Sequence, residues 1–275
     1  MAAAASSMAL AEANWSPADV EYVIFATLSP DHHFPGSGVR LQHMLGLGQV
    51  GALDVRTQCS GFLYALEIGN ALIRSGKYSR ILVVGAEIHS HTLEVPETNP
   101  DVAILFGDGA AAMALEASRE EGIIESSIHS DGSGASALQL EIFDISKRPY
   151  LTVQDVVNRR HIPVMDGTRI FLRAVKEMTA VAEFIVRKCG KTLDDVDLVI
   201  PHQANLRINE TVRKRLHLSP EKVFNNIQTR GNTTAASIPL AMAEARSAGA
   251  LRRGQLVLLV AFGSGFTWGA VLLRF

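Results

Sequence analysis

Residues 19–24 read Asp-Val-Glu-Tyr-Val-Ile, and residues 195–200 read Asp-Val-Asp-Leu-Val-Ile. Two further pairs of similar segments follow in the same order, 80–85 with 255–260 and 107–115 with 263–271. Repeats at such long spacing indicate two copies of one α/β unit rather than a solenoid of short repeats. A chain of 275 residues is long enough to fold two such units around a large core.

The apolar patterns predict which parts of each copy are buried. The runs 81–84 and 256–260 are continuously apolar, which is typical of central strands covered on both faces. Helical periodicity predicts helices at about 63–75, 168–188, 205–216 and 234–247. The least regular stretch, 130–163, is rich in Gly and Pro, so we expect loops over a site or a connection between the halves.

Composition limits the possible functions. Hydrophobic residues make up 47% of the chain and charged residues 20%, which is ordinary for a globular enzyme, and the net charge of −2 argues against general nucleic-acid binding. No apolar run reaches membrane-spanning length, and Met1–Leu10 has no basic flank, so it predicts a helix rather than a signal peptide. Only Cys59 and Cys189 are present, which favours a reducing, cytoplasmic location.

Cys59 lies between a predicted strand and a predicted helix. A thiol at a helix N-terminus faces the positive end of the helix dipole, so we expect a lowered pKa and a nucleophilic thiolate. The alternative is a small buried core residue, because free Cys is among the most buried residue types. Cys189 precedes Gly190 at a predicted helix end, and we interpret it as structural.

His202 and Asn232 are candidate partners of Cys59. His202 follows the strand that ends at Ile200, and Asn232 lies before a predicted helix, near the position that corresponds to Cys59 in the second copy. Ligand sites in α/β sheets favour such strand ends. Taken singly, the histidine could be structural and the asparagine a helix N-cap. Their related positions in a repeated unit favour a joint functional role.

Metal and dinucleotide sites are not predicted. His32, His33, His89 and His91 have no Cys or carboxylate cluster at ligand spacing. Gly107 and Gly109 precede a sequence that reads as a strand rather than a helix, which argues against a dinucleotide fingerprint.

Five segments resemble the β-ketoacyl-acyl-carrier-protein synthase III family. They are 58–62 (QCSGF), 106–110 (FGDGA), 201–207 (PHQANLR), 231–233 (GNT) and 261–269 (AFGSGFTWG). The resemblance implies the α/β thiolase fold, with two pseudo-twofold-related halves in a layered αβαβα arrangement, here 1–127 and 128–275. It also implies a homodimer that needs no metal or redox cofactor.

The resemblance assigns the chemistry to particular residues. Cys59 matches the nucleophile that takes an acyl group from acyl-CoA, and His202 and Asn232 match the pair that assists decarboxylation of malonyl-acyl-carrier protein. The backbone N–H groups of Cys59 and Ser264 match the oxyanion hole. An Asn at 232, where elongating synthases have a second His, and the absence of a second Cys in 262–265, where thiolases have one, separate the chain from those relatives.

Two further sets of residues match the family's binding surfaces. The residues that match the substrate and CoA channel are Met165, Gly167, Phe171, Ala204, Asn205 and Phe262. Carrier-protein binding is implied for Arg207, Lys214 and Arg215, on a helix whose basic run 213–215 suits an acidic partner. The alternative for this helix is an ordinary solvated face.

The chain departs from the family pattern in two places. The sequence begins at a later position than family members do. In the family, the preceding segment supplies a strand, which we expect to be central, and a Trp–Arg pair that holds the adenine of CoA. Trp15 and Trp268 align elsewhere and cannot replace that Trp. The loop around Asn99–Asp101 is longer and lacks an Arg that contacts CoA. Two alternatives therefore stay open: a related condensing or acyl-transfer enzyme of secondary metabolism, and a non-catalytic scaffold subunit.

Overall fold

The computed structural model describes residues 1–91 and 104–275, so the loop around Asn99–Asp101 lies outside the described residues. The strands are β1 (Tyr22–Ala26), β2 (Gly51–Val55), β3 (Arg80–Glu87), β4 (Gly109–Glu116), β5 (Ile123–Ser130), β6 (Leu138–Gln139), β7 (Val164–Met165), β8 (Leu198–Pro201), β9 (Leu256–Gly263) and β10 (Thr267–Arg274). The helices are α1 (Ala2–Glu12), α2 (Ser37–Leu45), α3 (Gly61–Arg74), α4 (Val153–Val157), α5 (Gly167–Lys188), α6 (Leu206–Arg215), α7 (Ile227–Arg230) and α8 (Ser237–Ser247).

Two four-stranded sheets confirm the predicted duplication. The first has the order β2-β1-β3-β4 and the second the order β5-β10-β9-β8. In each sheet the strand that begins the repeat (β1 or β8) runs parallel to a long buried strand (β3 or β9), which pairs antiparallel with the next (β4 or β10). The three repeated segments of the sequence therefore occupy equivalent places in two similar sheets.

Five layers result from the way that the apolar faces of these elements pack. Helices α1 and α2 cover the outer face of the first sheet. Helices α3 and α8 lie between the sheets, where Leu63 and Ile238 pack against strands of both. Helices α5 and α6 cover the second sheet, and the apolar stripe of α5 includes Val175, Met178 and Ile185. The layered αβαβα arrangement and the four predicted helices are confirmed.

The continuous apolar runs are central strands, as predicted. Strand β3 is flanked by β1 and β4, and strand β9 by β8 and β10. Seven of the eight residues of β3 and all eight of β9 are buried. A strand with a helix layer on each face can place no side chain in water, which explains why its sequence does not alternate.

The first strand of the second copy, β5, lies at the edge of its sheet beside β10. The equivalent place beside β4 has no strand among the described residues. By analogy with β5, the repeat predicts an edge place beside β4 for the family's opening strand, instead of the central place expected from the resemblance. Strand β5 also spans the predicted boundary at 127/128 and pairs only within the second sheet, so we propose to move the boundary to before Ile123.

The terminal and irregular segments also have the structures that the sequence predicts. Helix α1 confirms the prediction for Met1–Leu10, and Gly109 begins a strand rather than a helix. The stretch 130–163 contains only a short 3-10 helix, the two-residue strand β6 and the five-residue helix α4. Cys189 is the C-cap residue of α5 and packs at the margin of the second core, which agrees with a structural role. No helix within the described ranges is long and apolar enough to cross a membrane.

Candidate active site

Cys59 lies in a single 3-10 turn, Gln58–Ser60, that leads directly into α3. Gln58 adopts a positive φ of 45°, which turns the chain sharply between β2 and the helix. Gly263, at the end of β9, lets the second half approach: a Cβ there would lie 3.0 Å from the Cβ of Cys59. The thiol is thus held at the junction of the two halves.

Burial, and to a smaller extent the nearby Glu87 carboxylate, raise the pKa of the Cys59 thiol to about 12. Hydrogen bonds from the backbone N–H groups of Ser264 and Cys59 lower the pKa but do not offset the burial. The expectation of a lowered pKa from the helix N-terminus is therefore wrong, because loss of water around the sulfur outweighs the helix dipole. The same two N–H groups are the predicted oxyanion hole, so they point towards the reacting atom.

His202 follows β8 directly, and its backbone N–H donates to the carbonyl oxygen of Val260 at 2.8 Å. The imidazole is 2% exposed, and burial lowers its pKa to about 3, so the ring is neutral. Its Nδ1 lies 2.6 Å from the Oγ of Ser237, and its Nε2 has no hydrogen-bond partner among the described residues. One ring nitrogen is thus anchored, and the other remains available for a substrate.

Asn232 is held by backbone hydrogen bonds to the first half. Its N–H donates to the carbonyl oxygen of Leu105 at 2.7 Å, and its carbonyl oxygen accepts from Gly107 at 3.0 Å. The side-chain Oδ1 accepts from the N–H of Thr234 at 2.9 Å, but the N-cap residue of the 3-10 turn that follows is Thr233, so Asn232 is not the helix N-cap. Since the oxygen faces that N–H, the amide nitrogen is the atom left free to donate elsewhere.

One cavity of about 540 Å³ brings the predicted site together. Its wall includes all three predicted catalytic residues, Ser264 of the predicted oxyanion hole and every predicted channel residue, namely Cys59, His202, Asn232, Ser264, Met165, Gly167, Phe171, Ala204, Asn205 and Phe262. Leu138, from the irregular stretch 130–163, also lines the cavity, as expected of a loop over the site. An apolar cavity with a few converging polar groups suits a chain-like apolar substrate with one reactive carbonyl.

The predicted carrier-protein residues lie on α6. Arg207, Lys214 and Arg215 are exposed, and Arg207 also lines the cavity. Arg207 and Lys214 are seven residues apart, so they lie on the same side of the helix. Arg213, by contrast, pairs with Glu210 at 2.9 Å. Positive charge therefore lies beside the cavity.

Sequence reasoning missed several residues that support the site. Glu87 is buried at the end of β3, where burial raises its pKa, and it accepts from the backbone N–H groups of Leu28 and Ser29 at 3.0 Å. His89 Nε2 lies 2.7 Å from the Oγ1 of Thr234, and burial lowers the His89 pKa to about 4. A carboxylate directly after an apolar strand was the available signal for Glu87; the sequence carried none for the position of His89.

No cluster of three or more potential metal ligands occurs within residues 1–91 and 104–275. The cavity wall there is built mainly of apolar groups, with side-chain amides, hydroxyls, one imidazole, one thiol and the guanidinium of Arg207.

Comparison with known proteins shows the same family over both halves. The family model described as 3-Oxoacyl-[acyl-carrier-protein (ACP)] synthase III matches residues 53–132, and the model of its C-terminal part matches residues 186–275. A β-ketoacyl-[acyl-carrier-protein] synthase III of Agrobacterium fabrum is 42% identical, covering 98% of this chain and 82% of the relative. One from Nitratidesulfovibrio vulgaris is 43% identical, covering 100% and 83%.

A solved structure agrees with these relatives. The 3-oxoacyl-[acyl-carrier-protein] synthase III of Aquifex aeolicus superposes with a TM-score of 0.90 at 39% identity, covering 100% of this chain and 83% of that one. The fold and these relatives define an acyl-transferring condensing enzyme on the thiolase fold. More particularly, the chain belongs to the β-ketoacyl-[acyl-carrier-protein] synthase III family.

Proposed function

We propose that this chain joins an acyl group from acyl-CoA to malonyl-acyl-carrier protein by decarboxylative Claisen condensation, giving a 3-oxoacyl-acyl-carrier protein that begins fatty acid synthesis. The observation that carries the proposal is the convergence of Cys59, His202 and Asn232 on one apolar cavity. The relatives at 42% and 43% identity carry the same activity in their names, which favours this reaction over secondary metabolism or a scaffold role.

In the first half-reaction the Cys59 sulfur attacks the thioester carbonyl of acyl-CoA. The N–H groups of Cys59 and Ser264 stabilise the oxyanion of the tetrahedral intermediate. The bond to the CoA sulfur then breaks, and CoA leaves with the proton that the thiol gave up. Because the pKa of the free thiol is about 12, this proton must leave during the reaction rather than before it.

In the second half-reaction malonyl-acyl-carrier protein loses CO₂. The electron pair of the broken C–C bond moves towards the thioester and places negative charge on its oxygen. Nε2 of His202 and the amide nitrogen of Asn232 donate hydrogen bonds to that oxygen. The resulting carbon nucleophile attacks the acyl-Cys59 carbonyl, the new C–C bond forms, and the Cys59 sulfur leaves. Removing one such donor typically slows a reaction by about 10²–10³.

The proposed carrier-protein surface is based on exposed positive charge beside the cavity. We propose that an acidic carrier protein docks on α6 through Arg207, Lys214 and Arg215, since Arg207 reaches the cavity. The reaction needs no redox cofactor, because no electron transfer occurs in either half-reaction, and the proposed hydrogen-bond donors supply the charge stabilisation for which a metal would otherwise be needed. A homodimer in the cytoplasm, with neither a nucleic acid nor a membrane as partner, completes the proposal.

The test is formation of the 3-oxoacyl product. Purified protein is mixed with malonyl-acyl-carrier protein and a panel of acyl-CoAs, and the carrier protein is weighed by mass spectrometry. We expect a 3-oxoacyl carrier protein with the wild type and none with Cys59→Ala. Product formation that persists in Cys59→Ala would contradict the proposed nucleophile, and a folded wild type that makes no product with any primer would contradict the proposed function.

A further inference from the structure

Ser237 is the first residue of α8, and its side chain contacts the imidazole of His202. It is 2% exposed, and its Oγ lies 2.6 Å from Nδ1 of His202. The cavity wall does not include Ser237, so its hydroxyl acts on the imidazole from outside the cavity. A neutral histidine carries its proton on one nitrogen or the other, and the group bonded to one nitrogen decides which.

The proton of Ser237 has one acceptor in this arrangement. Its Oγ receives the backbone N–H of Gln203 at 3.4 Å, which leaves the hydroxyl proton for a different partner. Among the described residues the acceptor in contact is Nδ1 of His202. If Nδ1 carried a proton instead, the Ser237 oxygen would accept two hydrogen bonds and its own buried proton would have no acceptor, which is costly.

We propose that Ser237 is a positioning residue: its hydroxyl donates to Nδ1 of His202 and thereby places the imidazole proton on Nε2, facing the cavity. The buried Nε2 lacks any partner among the described residues, as a donor reserved for substrate would. His202 then acts as a neutral hydrogen-bond donor to the thioester oxygen rather than as a base. The lowered pKa of His202 agrees with this, because the ring stays neutral.

The side-chain amide of Asn232 is oriented by a hydrogen bond in a similar way. The N–H of Thr234 occupies its side-chain oxygen, which turns its amide nitrogen away from that N–H. Thr234 begins the 3-10 turn Thr234–Ala236 that directly precedes α8, and Ser237 is the first residue of α8. The same short segment therefore determines which atom of His202 and of Asn232 can donate to the enolate oxygen. The backbone N–H of Thr234 acts on Asn232, and the hydroxyl of Ser237 acts on His202.

The inference rests on the proposed function for its kinetic consequence, and its test separates the two half-reactions. Ser237→Ala removes the hydroxyl with little change in volume. We expect malonyl decarboxylation to fall about 10–100-fold, less than for loss of a whole donor, while acylation of Cys59 changes by less than about threefold. Ser237→Thr keeps the hydroxyl and should recover most of the rate. Ser247→Ala, an exposed serine at the other end of α8, is the matched control.

Selective ¹⁵N labelling of histidine tests the tautomer of His202 independently of any activity measurement. We expect the wild-type His202 ring, identified by comparison with His202→Asn, to show its proton on Nε2 between about pH 5 and pH 8, because the ring stays neutral there. A proton on Nδ1 would overturn the proposal even if the enzyme condenses its substrates. A folded Ser237→Ala with unchanged decarboxylation, or with equal losses in both half-reactions, would overturn it as well. An enzyme without acyl transfer would instead contradict the proposed function.

Discussion

The hydroxyl of Ser60 contacts the hydroxyl of Thr267 at 2.8 Å, across the junction of the two halves. Ser60 follows the proposed nucleophile, and Thr267 lies three residues beyond Ser264 and contacts its carbonyl oxygen at 3.1 Å. The two N–H groups of the proposed oxyanion hole come from different halves, so we expect their spacing to depend on this contact.

Thr267→Val should loosen that contact while keeping the shape of the side chain. We expect the free energy of unfolding to fall by about 1–3 kcal/mol, because the hydroxyl contacts both Ser60 and the carbonyl oxygen of Ser264, and the rate of Cys59 acylation to fall several-fold. Chemical denaturation and single-turnover acylation measure the two effects. Thr211→Val, on the α6 helix, loses one hydroxyl contact with a backbone carbonyl but should leave acylation unchanged. Equal acylation rates in all three proteins would show that the contact does not set the oxyanion hole.

Gly107→Ala should displace Asn232. A Cβ at residue 107 would lie 2.1 Å from the carbonyl oxygen of Arg230, so the loop that carries Asn232 must move. We expect a loss of about 1–3 kcal/mol in stability and a larger fall in malonyl decarboxylation than in acylation. Gly122→Ala is the control, since a Cβ there meets no atom within 4 Å. Wild-type decarboxylation in a folded Gly107→Ala would contradict the proposed role of Asn232.

Alkylation of Cys59 by iodoacetamide should follow its raised pKa. With a pKa of about 12, the thiolate fraction grows about tenfold for each unit of pH below that value. We therefore expect the rate to rise steadily from about pH 7 to about pH 10 without a plateau. The measurement uses Cys189→Ala protein, so that one thiol reacts. A plateau near pH 7 would show that the helix N-terminus outweighs burial after all.

Charge reversal on α6 should affect the carrier-protein substrate selectively. Arg207→Glu with Lys214→Glu removes two exposed positive charges on one side of the helix, and we expect the KM for malonyl-acyl-carrier protein to rise about tenfold at low salt. Acylation by acyl-CoA should change much less. Arg253→Glu, an exposed arginine just before β9, is the control. An equal rise in KM for the double variant and for Arg253→Glu would indicate a general charge effect and not a docking surface.

The sequence was sufficient for features that depend on pattern. The repeat predicted two similar sheets, the apolar runs predicted β3 and β9 as central strands, and the motifs predicted the residues that line the cavity. It failed where the outcome depends on what packs against a residue. The pKa of Cys59 is set by burial between the halves and by Glu87, and the place of a strand within its sheet is not encoded in the local sequence pattern.

The central claim is that Cys59 carries the acyl group and that His202 and Asn232 act only after it has been loaded. Intact-protein mass after incubation with acyl-CoA, followed by addition of malonyl-acyl-carrier protein, tests it most directly. We predict an acyl adduct on the wild type, His202→Ala and Asn232→Ala but not on Cys59→Ala, and rapid loss of the adduct on malonyl addition only in the wild type. An adduct on Cys59→Ala, or its rapid loss in His202→Ala and Asn232→Ala, would contradict this account.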